Sequence, residues 1–60
     1  MIKEGDICKI VGDCRYVEGT RVVVLKYLKS SNEFLIRPLE GMTQCCVKPE
    51  VLEVVYESDI

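Results

Sequence analysis

The chain contains no alanine, while twenty of its 60 residues are Val, Ile, Thr, Tyr or Phe. Alanine is the residue a helix accommodates most readily, because it has no side-chain entropy to lose. β-Branched and aromatic side chains instead fit a pleated, half-buried surface. Composition therefore directs this backbone into strands, and the length leaves room for a single core. A small all-β domain is expected. The longest apolar run, Val22-Val23-Val24-Leu25, is far below a membrane span. The opening residues lack the basic, apolar and small-residue order of a signal peptide, so a cytoplasmic setting without membrane contact is expected.

Charge narrows the functional classes. Eight Lys+Arg face ten Asp+Glu, a formal net charge of −2. That balance excludes a strongly basic arm that grips nucleic acid by charge alone. The absence of histidine removes imidazole acid–base, nucleophilic and metal chemistry. The glycines Gly5, Gly12, Gly19 and Gly41 lie too far apart to cradle a phosphate. A Cys nucleophile would have only a carboxylate or a lysine as its base. Acids are plentiful, but a domain this small fills its interior with side chains and leaves no cleft for a carboxylate pair. No enzymatic activity, cofactor or metal is expected.

The cysteines are Cys8, Cys14, Cys45 and Cys46. Cys45 and Cys46 are neighbours, and neighbours in an extended strand point to opposite faces. They are therefore poorly placed to share one metal, and the turned-back Cys-x-x-Cys pairs of a zinc site are missing. Reduced thiols are expected, with a single disulfide as the alternative. Cys14 sits in a turn-like stretch beside Arg15 and is expected to be the most exposed of the four.

Strands follow from alternation and punctuation. Lys3-Glu4-Gly5-Asp6 reads as a turn leading into a strand over 7–11, with Cys8 and Ile10 inward and Lys9 in water. Residues 12–19, bounded by Gly12 and Gly19, read as a charged loop wrapping over one edge of the sheet. Residues 20–28 give the longest strand signal, but neither face is cleanly apolar. Arg21, Val23, Leu25 and Tyr27 alternate with Val22, Val24, Lys26 and Leu28. A strand bent to serve two sheets, or one with a bulge, produces such a mixture. Lys29-Ser30-Ser31-Asn32 is a polar turn, and Glu33 to Leu39 is the next strand, with Phe34 and Ile36 inward and Pro38 near its end. Glu40-Gly41 is a hairpin turn from which Met42 to Val47 returns, with Cys45 and Val47 inward. Pro49-Glu50-Val51-Leu52 suits one helical turn, and Leu52 to Tyr56 forms a last strand. The expected core is Cys8, Ile10, Phe34, Ile36, Val47, Leu52 and Val54. The domain is expected to span 1–56, with 57–60 as a frayed acidic tail.

Several segments together resemble the SH3-like small β-barrel family, including its KOW-like relatives. They are Gly5-Asp6-Ile7-Cys8-Lys9-Ile10, Tyr16-Val17-Glu18-Gly19-Thr20 leading into Val22-Val23-Val24, Phe34-Leu35-Ile36-Arg37, and Val47-Lys48-Pro49-Glu50-Val51-Leu52-Glu53-Val54. The resemblance implies a five-stranded antiparallel, partly open barrel with a single helical turn before the last strand. It carries no single function, since such barrels bind peptides, RNA, ribosomal surfaces, methylated tails or other subunits. The aromatic groove of peptide-binding members is largely missing, because the chain has only Tyr16, Tyr27, Phe34 and Tyr56 and no Trp.

Two functions compete on this reading. The first is a small non-catalytic module that binds and modulates a protein partner. Stand-alone chains of this type are common in bacteria and their phages, where some inhibit host or defence enzymes. The second is a KOW-like accessory to nucleic acid or the ribosome. Removing the acidic residues 50–60 leaves eight bases against six acids over 1–49, so Arg15, Arg21 and Arg37 could form a modest basic patch. The simpler alternative is that these arginines are surface cations whose stems cover apolar side chains. The candidate contact residues are Arg15 and Tyr16 in the long loop, joined by Arg37 and Tyr56, because Arg and Tyr are enriched at interface hot spots. The alternative for the loop is that Tyr16 caps the open end of the barrel and Arg15 is its solvated neighbour.

Overall fold

The computed structural model describes residues 2–12 and 14–55. Its strands are β1 (Ile7–Ile10), β2 (Arg21–Leu28), β3 (Glu33–Pro38), β4 (Cys45–Val47) and β5 (Leu52–Val54). One 3-10 turn, Pro49–Val51, precedes β5, and its proline stands where a missing N–H costs nothing. All neighbouring strands are antiparallel and form one sheet in the order β4-β3-β2-β1-β5. The protein is thus all-β, as its composition dictates. The sheet does not close: no pairing joins β4 to β5 among the described residues. It nevertheless curls, because Val47 of one edge strand and Leu52 of the other belong to the same buried cluster.

That cluster is Cys8, Ile10, Val22, Val24, Phe34, Ile36, Val47 and Leu52. Directly paired residues share a face, and the pairs Cys8 with Val22, Val24 with Ile36 and Phe34 with Val47 put their side chains inside together. Val54, expected in the core, is only half-buried. It lies at the end of the short β5, packed against the cluster from the outside.

The mixed faces of β2 are resolved by a bulge. Val24 pairs with Ile36 and Lys26 with Leu35, leaving Leu25 without a partner. The extra residue shifts the alternation by one. Val22 and Val24 point inward before it, and Tyr27 shares the inner face with Phe34 after it. The two rings sit 5.0 Å apart at 43°, a tilted aromatic pair. Tyr27 closes the end of the sheet by donating its hydroxyl to Asn32 Oδ1 at 2.8 Å. Asn32 holds a left-handed φ of 53°, which its short polar side chain tolerates in the tight β2–β3 turn.

The return strand is shorter than expected. Residues 42–44 stand outside β4, which begins at Cys45. Carbonyls in this segment face side chains in place of a ladder: Gly41 O accepts from Arg37 Nη1 at 3.0 Å and Thr43 O from the Tyr16 hydroxyl at 3.0 Å. Pro38, with no N–H to give, stands where β3 loses its β4 neighbour.

The loop over 12–19 is tied at both ends. Ile10 N donates to Thr20 O and Gly19 N to Ile10 O. Gly19 has a φ of 94°, a conformation costly for any residue with a Cβ. At the other end Val11 N donates to Val51 O, and a Cβ on Gly12 would lie 3.1 Å from Val51 Cγ1, so the loop and the 3-10 turn meet there. Tyr56 and the proposed tail at 57–60 lie outside the described residues.

Phe34 joins β2, β3 and β4 in this core, so Phe34→Ala is expected to lose about 3–5 kcal/mol. Chemical denaturation of the parent and variant measures this. A variant as stable as the parent would show that Phe34 is not a core side chain.

Candidate functional site

The structure brings two of the candidate residues together through a third segment. Tyr16 from the 12–19 loop and Arg37 from β3 each donate to the chain between β3 and β4, at carbonyls two residues apart. Between those carbonyls stands Met42, 87% exposed, and next to Tyr16 stands Val17, 79% exposed. Arg15 is exposed on the same loop. The result is a pair of adjoining loops braced by two side-chain bonds, carrying two apolar side chains and a cation in water.

Tyr16 is half-buried and packs against the core. Burial raises its phenol pKa above the ordinary 10, the Cys45 and Cys14 thiols add to this, and Arg15 opposes it. The phenol is therefore protonated at neutral pH and free to donate to Thr43. Cys14 is not the most exposed thiol. Its Sγ accepts the Tyr16 N–H at 3.4 Å and lies 3.7 Å from the Tyr16 carbonyl oxygen, which draws it against the core. The exposed thiol is Cys46, whose partner in the ladder is the outward Leu35. Cys45 pairs with the buried Ile36 and so faces the opposite way.

An open hollow of about 500 Å³ separates the loop from β4, with Cys14 and Arg15 on one wall and Cys45, Cys46 and Val47 on the other. All four cysteines are free thiols, and among the described residues no three His, Cys, Asp or Glu side chains are grouped to hold a metal ion. Cys8 is fully buried, and burial, helped by the charge of Asp6, pushes its pKa up to about 11. Its thiol is a core side chain rather than a nucleophile.

Val17, Met42 and Thr43 were not identified as site residues from the sequence. Val17 and Met42 carry no signal that separates an exposed apolar side chain from a core one, and Met42 and Thr43 read as part of a strand. No family model, curated protein or solved structure matches the chain. No helix among the described residues is long and apolar enough to cross a membrane.

Two measurements test the thiols. Strong reductant and chelator are expected to leave the fold intact, and a thiol reagent at mildly alkaline pH is expected to label Cys46 first and Cys8 only on unfolding, as read by peptide mass. Early labelling of Cys8 would contradict its burial. The pH dependence follows from the direction of its shift. The folded pKa near 11 stands above the unfolded 9.0, so the folded state holds this proton more tightly. The stability contributed by the neutral thiol is complete below pH 9 and is lost as pH rises through 11. Cys8→Ala is expected to flatten this alkaline decline in denaturation curves.

Proposed function

We propose that the protein is a small non-catalytic interaction module that binds a protein partner through the braced loops. The observation that carries the reading is the joining of the 12–19 and 39–44 loops by Tyr16, with the second loop also braced to β3 by Arg37 and with Met42 and Val17 exposed on the two loops. Exposed apolar side chains on a pre-formed surface, rimmed by a cation, offer burial to a partner at little cost in ordering. Tyr16 and Arg37 position the surface, and Arg15, Val17 and Met42 are its contacts. Acting in the cytoplasm as a phage or bacterial inhibitor, or as an accessory subunit, is the role we assign to such a module. Membership of the SH3-like barrels is part of the same proposal. In its support stand the five-strand antiparallel order, the loop after β1 and the proline-bearing turn before β5.

The test begins with capture of the partner from source cells, with and without nuclease, followed by affinity measurement on the purified partner. Arg15→Ala with Met42→Ala is expected to keep the melting temperature and to weaken binding by about 2 kcal/mol or more. Full-strength binding by the folded double variant would overturn the loop surface. Capture abolished by nuclease, with affinity falling steeply in salt, would favour the nucleic-acid accessory role instead.

A further inference from the structure

Eight cations look scattered along the sequence, but the register sorts those in strands. Lys9, Arg21, Lys26 and Arg37 are all the Lys and Arg residues of the five strands. Lys9 pairs with Arg21, Val23 with Arg37 and Lys26 with Leu35. Lys9, Arg21 and Arg37 each adjoin a buried residue of their strand, and Lys26 stands opposite Leu35, which lies between the buried Phe34 and Ile36, so all four lie on the outer face. Glu53 and Glu33 are the acids on that face, and Glu53 is engaged with Lys9 at 3.5 Å. Arg21, Lys26 and Arg37 have no carboxylate partner within 4 Å among the described residues. The face is therefore net positive on a chain that is net negative.

The same face is not simply polar. Ile7 pairs with Val23, Val55 N donates to Ile7 O, and Leu35 stands opposite Lys26. These four apolar side chains are half-buried and lie among the cations. No described aromatic belongs to this face: Tyr27 and Phe34 are on the inner side, and Tyr16 is in the loop. A surface for single-stranded nucleic acid would combine cations with aromatic stacking platforms. A β-branched strip bordered by Arg and Lys instead complements a segment that is apolar on one side and acidic at its edges.

We propose that the outer face of the sheet is a docking surface for an acidic, amphipathic protein segment, with Arg21, Lys26 and Arg37 meeting its carboxylates and Ile7, Val23 and Leu35 its apolar side chains. The surface adjoins the loops at Arg37, whose Nη1 braces Gly41 O, and is otherwise separate from the loop contacts. Arg21 and Lys26 belong to this surface alone, so substituting them distinguishes failure here from failure of the loop reading.

The experiment titrates isotope-labelled protein with three probes, following amide shifts. The probes are a short peptide of acidic and apolar residues, polyglutamate, and a single-stranded oligonucleotide. The peptide is expected to shift amides of Lys9, Val23, Leu35 and Arg37 and to bind about tenfold more tightly than either other probe. Arg21→Glu with Lys26→Glu is expected to weaken the peptide by about tenfold or more without lowering the melting temperature, while Arg21→Lys with Lys26→Arg retains binding. If the double charge reversal unfolds, Lys26→Glu alone is expected to weaken it by a smaller but measurable factor. Peptide shifts confined to other regions, or none, would overturn the proposal. So would tighter binding of the oligonucleotide on this face, or concentration-dependent shifts there without any probe, which would assign the face to nucleic acid or to a second copy.

Discussion

The geometry of this sheet depends on one unpaired residue in its central strand. Strand β2 pairs with β1 on one side and with β3 along its length on the other. Were the β2–β3 ladder regular beyond Val24 and Ile36, Leu25 would oppose Leu35 and Lys26 would oppose Phe34. An ammonium would then be turned onto the inner face, with the desolvation cost that entails. The bulge at Leu25 puts Tyr27 there instead, a ring that packs on Phe34 and still keeps its hydroxyl on Asn32. It also sends Lys26 outward to join Arg21 and Arg37. One inserted residue thus closes the core at one end and assembles the basic face on the other side of the sheet.

Most of the fold was legible because strict alternation survives wherever a strand is short and regular. Cys8, Ile10, Phe34, Ile36, Val47 and Leu52 are buried as period-2 reading requires. The reading failed at Val22 and Val24, which are equally buried, because a fixed period cannot be carried across a bulge whose position the sequence does not mark. It failed at residues 42–44 for a different reason. Their strand-like composition is outweighed by two side chains, Tyr16 bonding Thr43 O within the stretch and Arg37 bonding Gly41 O just before it. One of those side chains is distant in sequence, and no local pattern announces it.

The surroundings of the candidate residues were less legible than the strands. Arg and Tyr in a long loop suggested contact residues, whereas the structure gives Tyr16 a bracing bond to Thr43 O and leaves Arg15 and Val17 exposed beside it. The thiols show the same limit. Flanking residues favoured Cys14 as the exposed one, whereas the backbone of Tyr16 curls around its sulfur. Exposure falls instead to Cys46, through the ladder position that sets Cys45 and Cys46 on opposite faces.

Net charge misleads for a physical reason that applies to any single-layer sheet with one buried face. A charged residue within a strand can occupy only the outer positions, so whatever charges the strands carry are summed on one side. Here the strands hold four cations and two acids, while Glu4, Asp6, Glu18, Glu40 and Glu50 stand in turns and loops. Lys3, Arg15, Lys29 and Lys48 stand there too, so the described turns and loops sum to −1, and the chain total of −2 is reached only with Asp13, Glu57 and Asp59. Partners approaching the face of the sheet meet a positive surface, and those approaching its turns meet acids and bases in near balance. Positive charge gathered on one face of so small a body orients a charged partner before contact, over distances comparable to the Debye length of about 8 Å in physiological salt. Orientation of this kind raises the encounter rate without requiring a large interface, which is the regime open to a protein with only one small core and one sheet.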